Sequence, residues 1–483
     1  MKQKKSIIFM MILALLMVVT SARALTQDGS GNYLIGSVQD WKDFATLVKT
    51  NPAINAKMTA DINLGTDKTM AGTSSSNYQG VFDGQGHTIT INFVVTENYL
   101  GLFRYISGAT IKNLHVTGTI STNDYGYAGG IVGVASGTST IQNCQSSVNI
   151  QSTIVGDGVL GGIVACSAPE NSGATLNIND CLFNGSMNGP STMTCGGFVA
   201  WRYDGNTVNI SNSIFLPTSA NVSTTYSACF VGHYATSLTN CYHKTVIGTV
   251  QGVEATAENL ANGTTTTALN GERTGEAAPW VQDPVTNLPQ LKLFASNVEL
   301  TAKLGDNDGE YWATYYHQTA SLTADASTTV YTGALGTGKV LLTEVNDKVI
   351  PAGNAVILKS TSSTITLTPT NASGTLAGNA LLGTTTATAA PTNAYCLSKG
   401  TSGVGFYAFT GTIPANRGYL VITSIGHAPQ YLGFDDNGGT TGVNEMRNQT
   451  EKVRGEFFDL QGRRILNPTK GLYIVNGRKV IIK

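Results

Sequence analysis

Apolar and small residues recur in a fixed pattern along the middle of the chain: a small-residue pair with two apolar residues, followed further on by Ile or Leu, any residue, Asn or Asp, and one more. The first half reads LGLF at Leu100, GGIV at Gly129, GGIV at Gly161, GGFV at Gly196 and ACFV at Ala228. The second half reads IKNL at Ile111, IQNC at Ile141, INDC at Ile178, ISNS at Ile210 and LTNC at Leu238. The second residue of each small pair stands at 101, 130, 162, 197 and 229, giving spacings of 29, 32, 35 and 32. A period near 30 residues means a stack of like units. The variation falls in Ser-, Thr-, Gly- and Asn-rich stretches, so insertions map to loops.

The Asn column predicts how each unit turns. In a plain strand, residues three apart face opposite sides, yet Ile141 and Cys144 are both apolar. A bend at Asn113, Asn143, Asp180, Asn212 and Asn240 resolves this, because Asn and Asp tolerate the left-handed region. Stacked units then bring these side chains about 4.8 Å apart, where amides can bond along the column. Leu114, Cys144, Cys181 and Cys241 form an inward column beside them, with Ser213 as its polar exception. Upstream, Ser37-Val38-Gln39-Asp40 reads as a capping box, opening a helix that carries Val38, Trp41, Phe44, Ala45 and Val48 on one face. That helix would cover the apolar end of the stack.

These motifs, with VFDGQGHTITI at Val81, resemble the GLUG repeat of secreted bacterial proteins of Bacteroidetes type, over roughly residues 32–292. The resemblance implies a right-handed parallel β-helix. From Val298 to about Asp435 the pattern changes to short alternating strands separated by Gly, Pro and Asn, which predicts an antiparallel β-sandwich. The final text, FFDLQGRRILNPTKGLYIVNGRKVIIK from Phe457, is similar to the C-terminal sorting domain of the type IX secretion system. Gln461-Gly462 and Asn476-Gly477 read there as hairpin turns.

The expected fold is therefore all-β. Its parts are a signal peptide over 1–24, a β-helix with an N-terminal capping helix over 25–295, a β-sandwich over 296–435, a linker over 436–456 and a β tail over 457–483. The signal peptide rests on Lys2, Lys4 and Lys5 before an apolar run from Ile7 to Val19, closed by Ala22-Arg23-Ala24. That run is shorter than the ~20 residues that span hydrocarbon, and no later segment is apolar enough to do so. The chain is expected to be secreted or at the cell surface.

Composition narrows the chemistry. A net charge of -1 excludes the basic field of a general nucleic-acid binder. Seven Cys in 483 residues are too few for a disulfide scaffold, and they form no CxxC pair for zinc. In the repeats, Asp124, Asp157, Glu170, Asp180, Arg202, Asp204, His233 and His243 are scattered rather than repeated at one position. Asp180 occupies the Asn column and reads as structural. Asp306-Asn307-Asp308-Gly309-Glu310 starts like a calcium loop, lacks the remaining ligands, and reads as a turn. No catalytic residue, metal site or cofactor is expected.

Tyr311, Trp312, Tyr315 and Tyr316 are the candidate ligand-binding residues. Alternation puts Trp312 and Tyr316 on one face and Tyr311 and Tyr315 on the other, one face for the core and one for stacking on sugar rings. The function expected is noncatalytic adhesion or glycan binding, with glycans or neighbouring cell surfaces as partners. The alternatives are a carbohydrate-active enzyme, a lyase or hydrolase on the β-helix, and a spacer that displays the sandwich.

Overall fold

The computed structural model describes residues 25–95, 97–122, 126–167, 172–233, 237–423, 429–435, 457–459, 463–466, 471–475 and 478–482. The segments expected to be a signal peptide and a linker, and both turn dipeptides of the tail, lie outside these. At 49% strand and 7% helix the chain is predominantly β, with parallel and antiparallel sheets in different segments.

Between Tyr33 and Glu254 the sheets are parallel, and the chain visits them in rotation. One sheet runs from Tyr33–Ile35 through Thr110–Lys112, Thr138–Gln142, Thr175–Asn179 and Thr207–Ser211 to Ser237–Thr239. Ile111, Ile141, Ile178, Ile210 and Leu238 stand in register across it. Phe103, Val132, Val164, Val199 and Val231, the last residues of the small-pair motifs, are in register across another. Nine of these ten are buried and Leu238, in the last coil, is half-buried against the same core, so the repeat is the core of a stack of coils.

The bends fall where the Asn column places them. Asn113, Asn143, Asp180, Asn212 and Asn240 have φ of 54°, 54°, 51°, 48° and 54°. Along the column Asn113 Nδ2 donates to Asp83 Oδ1 at 2.9 Å, Asn143 Nδ2 to Asn113 Oδ1 at 2.8 Å, and Asn240 Nδ2 to Asn212 Oδ1 at 2.9 Å. The inward neighbours repeat a bond of their own. Cys144, Cys181 and Cys241 each point a thiol at the carbonyl two residues back, at 3.2, 3.3 and 3.4 Å, and Ser213 does the same with its hydroxyl at 2.7 Å. Ser213 is thus interchangeable with its Cys neighbours in hydrogen bonding. All seven Cys are free thiols. Burial holds Cys181 and Cys241 well above the usual thiol range, Cys241 at about 12, so both stay protonated.

The ends of the stack are closed differently. At the start, the helix Val38–Thr50 is capped by Ser37, whose Oγ accepts the Asp40 N–H at 3.2 Å. Trp41 and Phe44 are buried against Tyr78, Phe82 and Phe103, largely edge-on. Burying each is worth roughly 1.5 to 3 kcal/mol, which is what the exposed end of a first coil would otherwise lack. At the far end the Gln251 side chain replaces a strand: its Oε1 accepts from Phe230 N and Val231 N at 3.1 and 2.7 Å, and its Nε2 donates to Val231 O at 3.0 Å.

The segment after the last coil does not seal an end. It runs back along the outside. Leu182, Ile214 and Tyr242 stack in register just past the bend. Leu260, Leu269, Trp280 and Leu291 cover them. Two short helices, Ala257–Ala261 and Thr264–Asn270, form in a stretch whose Thr, Ala and Gly content gave no helical period. Further back, the Phe294 ring meets His115 at 5.5 Å.

Arg273 of this segment makes the decisive bond. Asp180 breaks the amide ladder, since a carboxylate has no proton to donate, and Asn143 Oδ1 above it is buried without a partner. Arg273 satisfies the carboxylate with a fork: Nη1 to Oδ2 at 2.9 Å and Nη2 to Oδ1 at 2.7 Å, with Trp280 Nε1 at 3.3 Å.

From Val298 to Asp435 the strands are antiparallel apart from one parallel pair. A four-stranded sheet packs against a ten-stranded one. The strand Tyr311–Tyr315 belongs to the larger sheet and is a wall between two cores. Trp312 faces one, with Val340, Ile357 and Phe406; Tyr315 faces the other, with Leu322, Ile365 and Leu367. This half grips the returning segment: Asn371 Nδ2 donates to Gly275 O and Ala278 O at 2.9 and 2.8 Å, and Thr319 Oγ1 to Asn287 Oδ1 at 2.6 Å. In the tail, Phe457–Phe458, Arg464–Ile465, Gly471–Val475 and Arg478–Ile482 form an antiparallel sheet.

Two stability tests follow from the returning segment. Arg273→Ala should cost about 2 to 3 kcal/mol, toward the low end for a broken buried pair because the guanidinium is partly in water. Asp180→Asn should cost less, since an amide can donate to Asn143 Oδ1. In a urea-denaturation double-mutant cycle the two should be strongly non-additive; simple additivity would refute the clamp. Burial holds His115 down at about 4. A folded value below the ordinary 6.5 makes its contribution complete above about pH 6.5 and lost as pH falls toward 4. His115→Gln should therefore flatten the stability loss between pH 7.5 and 4.5, read from unfolding midpoints.

Candidate functional site

The four aromatic residues singled out in the sequence do not form a platform. Alternation divides them as expected, but both faces are core. Trp312, Tyr315 and Tyr316 are 6%, 1% and 8% exposed. Trp312 stacks on Phe434 at 4.7 Å, with Lys359 5.2 Å from its ring centre. Tyr311 is partly exposed and packs on the second core. Alternation reports two sides of a strand and cannot report that both are covered.

A different aromatic group lies on the outside of the coils. Tyr105, Val134, Cys166, Trp201 and His233 occupy one register column over five consecutive coils. Val134 and Cys166 are buried, and tyrosines from neighbouring turns flank the column. Tyr99 lies 5.7 Å from Tyr105 and 4.9 Å from Tyr127, ring centre to ring centre; Tyr203 lies 5.9 Å from Trp201. All five rings are partly exposed. The coils thereby present a continuous aromatic surface.

The backbone holds these rings in place. Tyr99 has φ 63°, an unusual conformation for a bulky residue. Its neighbour Leu100 donates its N–H to Tyr127 O at 2.7 Å, which fixes the ring pair across two coils. The Tyr203 N–H is held by Ser167 Oγ at 3.0 Å. Burial raises the Tyr99, Tyr105 and Tyr203 hydroxyls above the usual phenol range, and a hydrogen bond with Tyr127 raises Tyr203 further. They act as neutral donors and acceptors. Arg104 rests 5.8 Å from the Tyr105 ring centre, ion-paired to Glu97 at 2.5 Å.

Ionisable groups of the coils are engaged singly rather than converged. Asp83 pairs with Lys112 at 3.2 Å, Asp180 with Arg273, and Asp61 with His87 at 3.1 Å. His243 is buried, which lowers its pKa. Asp124, Glu170 and the His233 side chain lie outside the described residues. In the antiparallel half, the Asp306 carboxylate accepts the Val404 N–H at 3.0 and 2.9 Å and Glu310 pairs with Lys359 at 3.1 Å, as a turn and its neighbour rather than a calcium loop. Among the described residues no group of three or more His, Cys, Asp or Glu is arranged to hold a metal ion. No described helix is long and apolar enough to cross a membrane.

Comparison with known proteins adds little to this geometry. No family model and no curated protein matches the chain. Among solved structures, a putative immunoglobulin A1 protease from Bacteroides ovatus superposes with a TM-score of 0.40 at 17% identity, over 55% of this chain and 94% of that one. An IgA1 protease gives a TM-score of 0.25 at 18% identity, over 46% of this chain and 20% of the other. Values this low transfer neither a fold assignment nor an activity.

Proposed function

We propose that the chain is an exported, noncatalytic cell-surface or secreted protein that binds glycans. In this reading the coils are a right-handed β-helix of GLUG type over 25–295, joined to a sandwich over 296–435, and the tail from 457 serves as a type IX sorting signal. The observation that carries the binding function is the outer aromatic surface of Tyr99, Tyr105, Tyr127, Trp201 and Tyr203. Partly exposed rings with an apolar face and a polar rim suit the C–H face and hydroxyls of a sugar ring. The neutral hydroxyls of Tyr99, Tyr105 and Tyr203 serve neutral as well as charged sugars. The separately paired carboxylates also favour binding over glycosidic hydrolysis, which uses two carboxyl groups flanking one bond.

The test is a glycan array with the chain from Leu25 to Lys483, followed by reducing-end assays on each hit. Binding without product is expected. Tyr105→Ala with Tyr127→Ala should weaken a neutral-glycan hit at least tenfold while leaving the circular dichroism spectrum unchanged. Product release would replace this function with that of a carbohydrate-active enzyme, and unchanged affinity in the double variant would remove the aromatic surface from it.

A further inference from the structure

A second site lies in the antiparallel half, and its chemistry differs from that of the coils. The ten-stranded sheet curls until its two ends meet. Gly418 N donates to Thr314 Oγ1 at 3.1 Å and Arg417 Nη1 to Thr314 O at 3.1 Å, joining strands remote in the sheet order. A cleft of about 610 Å³ opens along this seam. That size is in the range of small-molecule sites. Its walls are mainly apolar and aromatic, with Tyr407, Phe409, Ile413 and Pro414 on one side and the edge of Trp312 on the other.

Charge is what singles the cleft out. Lys303 and Arg417 line it, and no described lining residue is acidic. Neither cation has a carboxylate within ion-pair distance among the described residues, whereas Lys359 and Lys339 nearby are each paired, with Glu310 and Asp435. Arg417 is half-buried, and the one described bond of its guanidinium is to a neutral carbonyl. A guanidinium taken partly out of water without an anion is costly to hold. Cys396, also in the wall, stays a neutral thiol because burial pushes it up to about 11, so no anion from the protein compensates there.

We propose that this cleft binds a small anionic ring compound, the class of carboxylated or sulfated sugars, with its anion between Arg417 and Lys303 and its ring against Tyr407 and Phe409. Arg417 supplies the forked donor that matches a carboxylate or sulfate, and Lys303 a more mobile charge at the rim. The site is separate from the aromatic surface of the coils, and each stands or falls alone.

The test is titration calorimetry on the chain from Leu25 to Lys483 with three probes: a galacturonate oligosaccharide, a sulfated disaccharide and a neutral oligosaccharide of equal length. Either anionic probe should bind at least tenfold more tightly than the neutral one, and the tighter of the two identifies the anion. Lys303→Gln, an exposed change that leaves folding intact, should weaken that binding several-fold and reduce its salt dependence. Arg417→Gln should weaken it tenfold or more, with Arg417→Lys recovering part. Tyr105→Ala with Tyr127→Ala should leave it unchanged. Equal affinity for charged and neutral probes, or wild-type affinity in Lys303→Gln and Arg417→Gln alike, overturns the proposal. Binding confined to acidic peptides in a parallel titration also overturns it.

Discussion

The five repeated coils of this protein depend on one backbone event, a residue near φ +50° at the corner between two parallel sheets. Asn and Asp reach that conformation because their side chains are short and polar. The corner then has a second use. Its side chain points along the stack, so the amide that permits the bend also bonds the coil before it. The adjacent thiol or hydroxyl bonds the carbonyl two residues back and satisfies the corner from the inside. Bend, ladder and core are thus set within a stretch of four residues, and loops between corners are free to change length.

Asp180 shows what happens when one corner departs from the rule. The bend survives and the ladder does not, which leaves a buried acceptor above and an unneutralised carboxylate below. Arg273 is drawn to that carboxylate from ninety-three residues away and brings Trp280 with it. The returning segment lies on the outside of the coils because of this pair and because Leu182, Ile214 and Tyr242 offer it an apolar column. The antiparallel half is held in turn by Asn371 and Thr319 on the same segment. A single substitution in the ladder thereby anchors the connection between the two halves of the chain.

The coil stack was legible in the sequence because its determinants are local and repeated. Ile141 to Ile178, or Val164 to Val199, align without knowledge of the fold, and the Asn column specifies a conformation rather than only a residue type. The amphipathic helix with Trp41 and Phe44 was legible for the same reason. The aromatic surface was not, since Tyr105 and Trp201 are almost a hundred residues apart and share one column only through the register. Aligning the residues two places beyond each small-pair motif would have put them in one column. Tyr311 to Tyr316 misled in the opposite direction: four aromatic residues in six are conspicuous in one dimension, yet here they build the wall between two cores. The Arg273 clamp left only the faint trace of an Asp among Asn residues.

The two candidate sites follow from how each half makes concavity and exposure. A parallel stack repeats one column at about 4.8 Å per coil, so side chains on its outer face form a flat, regular array suited to an extended ligand. It has no seam in which to isolate a charge, and Lys42, Lys57, Arg104 and Lys112 sit beside carboxylates. The antiparallel half has to close a curved sheet, and its meeting edges leave a cleft whose low-dielectric walls strengthen any charge set in them. Lys303 and Arg417 sit at that seam without a described counter-ion, while most charges of the coils are neutralised in place. The difference between a neutral array and a cationic cleft is therefore a consequence of sheet geometry, and it separates the ligands each half can take.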